Sequence, residues 1–235
     1  MKYRWEVQTR EGMVQQLASN ILPHGYWFYV TGVVPWHKNP VNVDQKLIWK
    51  YGAALSRQQR ARRKAQGLAN VHYLRWGRFW VLLATHGEHE FFAAEAVAMR
   101  DIRKVPLRID SYTLTLRRGA YRHERDAAGH CLPDGRLHVR VRIARDVYRD
   151  LIAWYEQHAC HKTIEEISRE LWNLPFEPYA PIRRQFLNLL RIINKHRRTA
   201  GLPAVPPDCL RLRRKIVKVF GDANEERGGQ EAQGD

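Results

Sequence analysis

Residues 26–34 read YWFYVTGVV, and Pro35 ends the run. Nearly every position is aromatic or β-branched, which is typical of a well-buried strand. The apolar residues of the stretch 43–51 then fall at helical spacing, and Ser56 is a suitable N-cap for a second helix over residues 57–66. The sequence therefore predicts a buried strand followed by two helices.

Two further strand-like runs, at residues 70–75 and 78–85, are joined at Trp76-Gly77 and predict a hairpin. Residues 88–100 favour a helix, and residues 105–116 (VPLRIDSYTLTL) favour a strand again. The order β-α-β-β-α-β is that of the ferredoxin-like fold, in which helices cover one face of an antiparallel four-stranded sheet. We therefore predict an α+β protein whose first domain is ferredoxin-like.

The rest of the chain predicts an additional strand pair and then a helical domain. Residues 138–143 alternate with a period of two, so the first domain is placed at 1–144 with a β-hairpin extension. Thr163 and Glu166 match a capping box that begins one helix, and a long helix is predicted over residues 179–199. A basic helical domain is therefore expected at 145–220.

The charge balance of the 235 residues is strongly basic. Lysine and arginine total 40 against 24 acids, a formal net charge of +16, and the isoelectric point is about 10.2. Residues 221–235 hold five acids and one arginine with no large apolar residue, so we predict a disordered acidic tail there. The remaining chain is more basic than the whole, and this excess predicts a polyanionic partner.

Cysteines and apolar runs indicate the compartment. Cys131, Cys160 and Cys209 are widely spaced and form no CxxC, which argues against a disulfide framework and against a cysteine zinc site. The opening MKYRWE lacks the apolar core of a signal peptide, and no run approaches the ~20 apolar residues of a membrane span. We expect a non-secreted, cytoplasmic protein in a reducing compartment, with no membrane partner.

Three basic segments are candidates for phosphate contacts. One is the helix after Ser56, another is the long helix, whose cations would form a row about 20 Å long, and the third is the stretch 211–218. The predicted nucleic-acid-binding residues are Arg57, Arg60, Arg62, Arg63, Lys64, Arg184, Arg191, Lys195, Arg198, Arg211, Arg213, Arg214, Lys215 and Lys218. The alternative for each helix is an ordinary solvated basic face.

Aromatic residues of the predicted strands are candidates for base stacking. Trp27 and Tyr29 point to the same face of the first strand, and Trp80 lies on the third strand. On an open sheet face these rings would stack unpaired bases of a single strand. The alternative is that they belong to the core.

A second hypothesis is an endonuclease. Residues 85–90 (THGEHE) place imidazoles and carboxylates at a strand end, which suits a divalent metal site or a general base, and tyrosines on a later helix are positional candidates for a covalent nucleophile. The candidate catalytic residues are His72, His86, Glu88, His89, Tyr148 and Tyr155. The alternative is that the histidines stabilise the turn, because HGEH is not the HExxH of zinc proteases.

The charge distribution favours a nucleic-acid-binding protein that contacts the phosphate backbone with its basic helices. RNA or single-stranded nucleic acid is the expected partner, with RNA favoured over DNA, in a ribonucleoprotein of a mobile element or defence system. No cofactor is expected, and a divalent metal belongs only to the endonuclease alternative. A third reading is a DNA-binding regulator built from helices within 146–199, but the linker 173–178 exceeds the turn of a helix-turn-helix.

Overall fold

A computed structural model describes residues 3–119, 125–130 and 134–221. The chain is mixed α+β, as its sequence predicts. The predicted acidic tail lies outside the described residues from position 222 onward, and so does Cys131. Among the described residues, no helix has the length and apolar composition needed to cross a membrane.

The chain separates into two compact units. The first unit comprises residues 1–105 and 217–235, and the second comprises residues 106–216. The predicted boundary at 144/145 differs from this division. The reason is that the strands after residue 106 pair with one another and pack on the helices that follow them.

The first unit contains five strands and four α-helices among its described residues. In chain order its elements are β1 (Glu6–Val7), α1 (Arg10–Gln16), a π-helical turn (Leu17–Ile21), a 3-10 turn (Leu22–His24), β2 (Phe28–Val33), α2 (Pro40–Lys50), α3 (Arg57–Ala65), β3 (Val71–Trp76), β4 (Phe79–Ala84), α4 (Glu90–Ala94) and β5 (Arg100–Asp101). The helix predicted over residues 88–100 is thus reduced to the short α4.

Local sequence signals set several of these boundaries. The Ser56 hydroxyl accepts a hydrogen bond from the backbone N–H of Gln59, and the Gln59 side chain accepts one from the backbone N–H of Ser56. This capping box begins α3. Gly77 has a φ of 56°, a left-handed conformation that lets β3 turn directly into β4. The predicted α3 and the predicted hairpin are confirmed.

The strands of the first unit form one sheet in the order β1-β3-β4-β2-β5. Strands β2, β4 and β3 pair antiparallel, β5 pairs antiparallel with β2, and β1 pairs parallel with β3. The prediction that residues 105–116 supply the fourth strand of this sheet is wrong. Asp110 adopts a φ of 49° and turns that run back on itself, so it forms two paired strands of a separate sheet in the second unit.

One face of the first unit's sheet packs against helical residues. Val30, Leu82 and Tyr73 lie side by side across β2, β4 and β3, and Tyr51 and Phe91 pack against them in the same core cluster. The rings of Tyr51 and Phe91 meet edge to face with their centroids 5.5 Å apart. The helices after β2 and β4 are therefore attached to the sheet through aromatic side chains.

The opposite face is also covered, by a segment for which the sequence analysis predicts no element. Helix α1 packs against β3, and α1 with the π-helical turn contributes fully buried apolar residues such as Met13 and Leu17. The sheet residues Tyr29 and Leu83, which point to this face, are buried as well. This face is therefore covered around Tyr29 and Leu83, while Thr31 and Val33 at the end of β2 are exposed.

A buried ion pair joins α2 to the sheet. The carboxylate of Asp44 is fully buried and accepts hydrogen bonds from Nε of Arg75 at 2.8 and 3.0 Å. It also accepts from Nε1 of Trp5 at 2.9 Å and from the hydroxyl of Tyr73 at 2.6 Å. Arg75 reaches Glu6 on β1 at 2.9 Å. Burial and the neighbouring carboxylate raise the pKa of Tyr73, so its phenol stays protonated and donates.

The second unit combines a three-stranded sheet with three α-helices among its described residues. Its elements are β6 (Leu107–Ile109), β7 (Tyr112–Arg118), β8 (Leu137–Ile143), α5 (Arg145–His158), α6 (Ile164–Trp172), α7 (Ala180–Thr199) and a 3-10 turn (Pro207–Cys209). The strands pair antiparallel in the order β6-β7-β8. The predicted strand at 138–143 and the long helix are confirmed, and a capping box at Thr163 begins α6 as predicted.

The core of the second unit lies between the sheet and α7, which packs against β8 and α5. Buried residues of α7 include Ile182, Phe186 and Ile193. Arg197 on the same helix is also buried, and its guanidinium donates to the carbonyl oxygens of Ala159, Lys162 and Pro203, each at 2.8 Å. Arg197 therefore links the segments that contain these three carbonyl groups to α7, and it is not part of the exposed basic surface.

We predict that Asp44→Asn lowers the free energy of unfolding by about 3–5 kcal/mol, because the Arg75 guanidinium loses its buried counter-charge and keeps only the half-exposed Glu6. Urea denaturation followed by tryptophan fluorescence measures the change. Glu6→Gln is the matched control, since Glu6 pairs with the same arginine but its side chain is 47% exposed, and a loss below about 1 kcal/mol is expected. Equal losses in the two variants would contradict the assignment.

Candidate nucleic-acid interface

The predicted cations of α7 lie on the side of the helix that faces away from the core. At 100° per residue, Arg184 and Lys195 are about 20° apart around the helix axis, whereas Ile182 and Ile193 lie about 160–180° from Arg184. The exposed polar residues on this side are Arg184, Asn188, Arg191, Lys195 and Arg198. We call these five residues the α7 row.

The α7 row is not neutralised by nearby acids. No acidic residue occurs between positions 178 and 207. In the described chain, Arg184, Arg191 and Lys195 make no ion pair, while Nε of Arg198 donates to the carbonyl oxygen of Asn194 at 3.1 Å. The row therefore presents uncompensated positive charge over about 20 Å.

A second basic surface lies on the sheet of the second unit, and the sequence analysis did not identify it. Residues of β6–β8 alternate between the core and the opposite, outward side. The outward side carries Arg108, Thr113, Thr115, Arg117, His138, Arg140 and Arg142, and we call it the outward sheet face. The signal was present in the sequence, because arginines 140 and 142 alternate with valines 139 and 141.

Two of the predicted cations of α3 form hydrogen bonds within the fold, and the other three are exposed. The Arg60 guanidinium donates to the carbonyl oxygens of Leu55 and Ala53 and to the hydroxyl of Tyr26, at 2.8–3.1 Å. Arg63 donates to the carbonyl oxygen of Ala69 at 2.9 Å. The exposed members of the predicted set are Arg57, Arg62 and Lys64. Only these three remain candidates for phosphate contacts on α3.

Several residues of the predicted basic segment 211–218 also interact with other side chains of the chain. The Arg211 guanidinium pairs with Glu177 at 2.9 Å, and the backbone N–H of Lys215 donates to the same carboxylate at 2.8 Å. The guanidinium of Arg214 lies 4.8 Å from the ring centroid of Tyr179. Arg213 and Lys218 are exposed. Arg211 is therefore a partner of Glu177 within the second unit, which removes it from the uncompensated surface.

The predicted stacking residues do not lie on an open sheet face. Tyr29 is 4% exposed, and its hydroxyl donates to the carbonyl oxygen of Val105. Trp80 is half-buried over Gly32, where an added Cβ would lie 2.4 Å from the ring. Trp27 is half-buried beneath the guanidinium of Arg103, which lies 4.7 Å from its ring centroid. The expectation that these three rings form an exposed aromatic sheet face is wrong, because each of them is buried or half-buried against neighbouring residues.

The most exposed aromatic rings of the described residues are two other tryptophans of the first unit, while Trp154 and Trp172 of the second unit are about half exposed. Trp36, after β2, is 88% exposed and lies 4.7 Å below the guanidinium of Arg78. Trp49 on α2 is 85% exposed, with Lys50 next to it in sequence and Lys46 about one helical turn earlier. A sequence signal for Trp49 exists, because it falls outside the apolar helical spacing of residues 43–51.

Two of the histidines proposed for catalysis form hydrogen bonds that stabilise the fold, and the third is exposed. His89 is the N-cap of α4, where its Nδ1 accepts a hydrogen bond from the backbone N–H of Phe91 at 3.0 Å, and burial with nearby Arg63 lowers its pKa. His72 has its Nδ1 2.6 Å from the Tyr3 hydroxyl, and burial lowers its pKa to about 3. His86 and Glu88 are exposed. Within the described chain, no group of three or more histidine, cysteine or acidic side chains is placed to hold a metal ion.

The candidate tyrosine nucleophiles are held within the second unit. Tyr155 is buried, and burial raises its pKa. The Tyr148 hydroxyl donates to the carbonyl oxygen of Gln185 and accepts from the side chain of Asn188, both at 3.0 Å, and burial raises its pKa as well. Both phenols are therefore less acidic than usual, the opposite of what an activated nucleophile requires.

Comparisons with protein-family models, with curated proteins and with solved structures find no match to this chain. The geometry and charge of the described residues therefore carry the functional argument alone.

We predict that Arg60→Met lowers the free energy of unfolding by about 2–3 kcal/mol, because the variant removes three charge-assisted hydrogen bonds, two to the loop before α3 and one to the Tyr26 hydroxyl. Urea denaturation measures the loss. Arg57→Met, on the same helix but exposed, is the control and is expected to change stability by less than about 0.5 kcal/mol. If both variants behave like the control, Arg60 is a surface residue in solution.

We predict a pH-dependent contribution of His72 to stability. The pKa of His72 in the folded state lies below the unfolded value of 6.5, so its contribution to stability is complete above pH 6.5. Between pH 6.5 and pH 3 only the unfolded chain takes up the proton, and the contribution is lost as the pH falls through this range. Between pH 7 and pH 5 the wild type should lose about 2 kcal/mol more than His72→Gln. Urea denaturation of both proteins at these two pH values tests this, and parallel losses would contradict it.

Proposed function

We propose that this protein binds nucleic acid, with RNA preferred over DNA, through the α7 row. The observation that carries the proposal is a set of exposed, unpaired cations aligned along one side of a 20-residue helix. Arginine and lysine in such a row neutralise successive phosphates and release condensed counterions, which is the main source of affinity for nucleic acid. Exposed Arg57, Arg62 and Lys64 on α3 provide further contacts from the first unit.

The preference for RNA rests on the two kinds of exposed group in the chain. Folded RNA presents duplex backbone together with unpaired bases. The α7 row suits the backbone, and the exposed rings of Trp36 and Trp49 suit stacking on unpaired bases. These two tryptophans replace Trp27, Tyr29 and Trp80 as the proposed stacking residues.

We also propose that the first unit is a variant of the ferredoxin-like fold and that the protein acts in the cytoplasm. Support for the fold comes from the antiparallel order β5-β2-β4-β3, in which β4 lies between β2 and β3, the strands on either side of the helical crossover. Support for the compartment comes from Cys160 and Cys209, which are both free thiols.

We predict that Arg191→Gln combined with Lys195→Gln weakens binding to a labelled RNA hairpin with an unpaired loop. Each lost phosphate contact reduces the slope of log affinity against log salt by about one, so the double variant should lose about two units of slope. Fluorescence anisotropy from low to moderate salt measures this.

The matched control for this experiment is Arg149→Gln with Arg169→Gln. These exposed cations of the same unit have acidic neighbours, since Arg149 lies 3.9 Å from Asp150 and Arg169 is one helical turn after Glu165. The control removes the same charge and should leave the slope nearly unchanged. Equal effects of the two double variants would exclude α7 as the interface, and no binding by the wild type would refute the proposed function.

A further inference from the structure

The second unit presents cations on two sides that are separated by its core. The α7 row lies opposite the buried residues of its helix, and the outward sheet face lies opposite the buried residues of its strands. Because both sets of buried residues belong to the one core of this unit, the two cationic surfaces point away from that core in different directions. They do not combine into one surface.

The outward sheet face has a regular arrangement fixed by strand pairing. Arg142 on β8 is opposite Thr113 on β7, which is in turn opposite Arg108 on β6, and Arg117 is opposite His138 two rungs further along. Neighbouring strands lie about 4.8 Å apart, and successive outward residues on a strand are about 6.8 Å apart. The arginines are thus spread over a surface large enough to contact several phosphates.

The charge on this face is only partly compensated. Arg108 pairs with Asp146 at 2.8 Å, and His138 lies 2.6 Å from a carboxylate oxygen of Asp134. Arg117, Arg140 and Arg142 make no ion pair in the part of the chain that the structure describes. Three guanidinium groups therefore remain available for an anionic ligand.

The side chains of both surfaces indicate the form of nucleic acid that they suit. Arginine and threonine donate hydrogen bonds to phosphate oxygens, and arginine does so with two parallel donors. The only aromatic ring among the residues of the outward sheet face and the α7 row is the imidazole of His138, which is held 2.6 Å from a carboxylate oxygen of Asp134. Neither surface includes phenylalanine, tyrosine or tryptophan, the rings on which single-strand binders stack successive bases. Both surfaces are thus suited to the backbone of a duplex.

We propose that the second unit binds two nucleic-acid duplexes at the same time, one on the outward sheet face and one on the α7 row. This inference rests on the proposed function and adds to it a bridging activity. A monomer with two such surfaces holds two duplex segments, or two stems of one folded RNA, on opposite sides of a common core.

A capture experiment with the full-length protein tests the bridging. A biotinylated 30-base-pair RNA duplex is fixed to beads, protein is added, and a second, fluorescent RNA duplex is offered in solution. The wild type should retain the fluorescent duplex. Parallel samples with a DNA duplex and with single-stranded RNA as the second ligand distinguish a duplex backbone from a single strand, and capture of the single strand alone would overturn the assignment to duplexes.

The variants remove one surface at a time. Arg117→Gln with Arg142→Gln changes two exposed arginines of the outward sheet face, and Arg191→Gln with Lys195→Gln changes the α7 row. Each double variant should still bind one duplex in solution but lose at least about fivefold in capture of the second. Arg149→Gln with Arg169→Gln should capture like the wild type. Circular dichroism of each variant verifies the fold, and Arg140→Gln with Arg142→Gln serves as a second sheet variant.

The outcomes separate the two proposals. Full capture by both sheet variants would overturn the bridging inference. A dimer that bridges through two α7 rows would give this result, and light scattering would reveal the dimer. Binding of one duplex without capture of a second by the wild type overturns the bridging inference but leaves the proposed function intact. Absence of binding to any duplex or hairpin refutes both.

Discussion

The first unit depends on the buried pair between Asp44 and Arg75. A carboxylate and a guanidinium in the interior lose their hydration, and this loss is offset only when every remaining donor and acceptor is satisfied. Trp5, Tyr73, Glu6 and the carbonyl oxygen of Gly77 supply the other hydrogen bonds of the pair, which thereby links α2, β3 and β1. Registers that separate these groups would leave a charge buried alone, and that cost disfavours them.

Arginine serves two distinct purposes in this chain, and the net charge of +16 does not distinguish them. Arg60, Arg75 and Arg197 each donate several hydrogen bonds to carbonyl or carboxylate oxygens within the fold. Their guanidinium groups are therefore engaged by partners within the fold. Exposed, unpaired cations such as Arg191 and Arg142 are the ones that face solvent. The distribution of charge after folding, rather than its sum, therefore supports the nucleic-acid hypothesis.

The same alternation that builds the second sheet's core creates its basic face. Valines and leucines of β7 and β8 point inward, so the intervening arginines and threonines must point outward. The sequence analysis predicts the strand at 138–143, but as part of a hairpin that extends or edges the sheet of the first domain. It did not recognise the partner strands, because pairing between β7 and β8 joins residues separated by a long polar excursion.

Local patterns in the sequence determined the mixed α+β class, the capping boxes of α3 and α6, the hairpin at Gly77 and the basic side of α7. Each of these depends on residues within a few positions of one another, where spacing and backbone preference are sufficient. Tertiary structure alone decided which sheet residues 105–116 join, that α1 covers the sheet face of Tyr29, and which arginines become internal. These outcomes depend on burial and on hydrogen-bond partners distant in sequence, which no local pattern records.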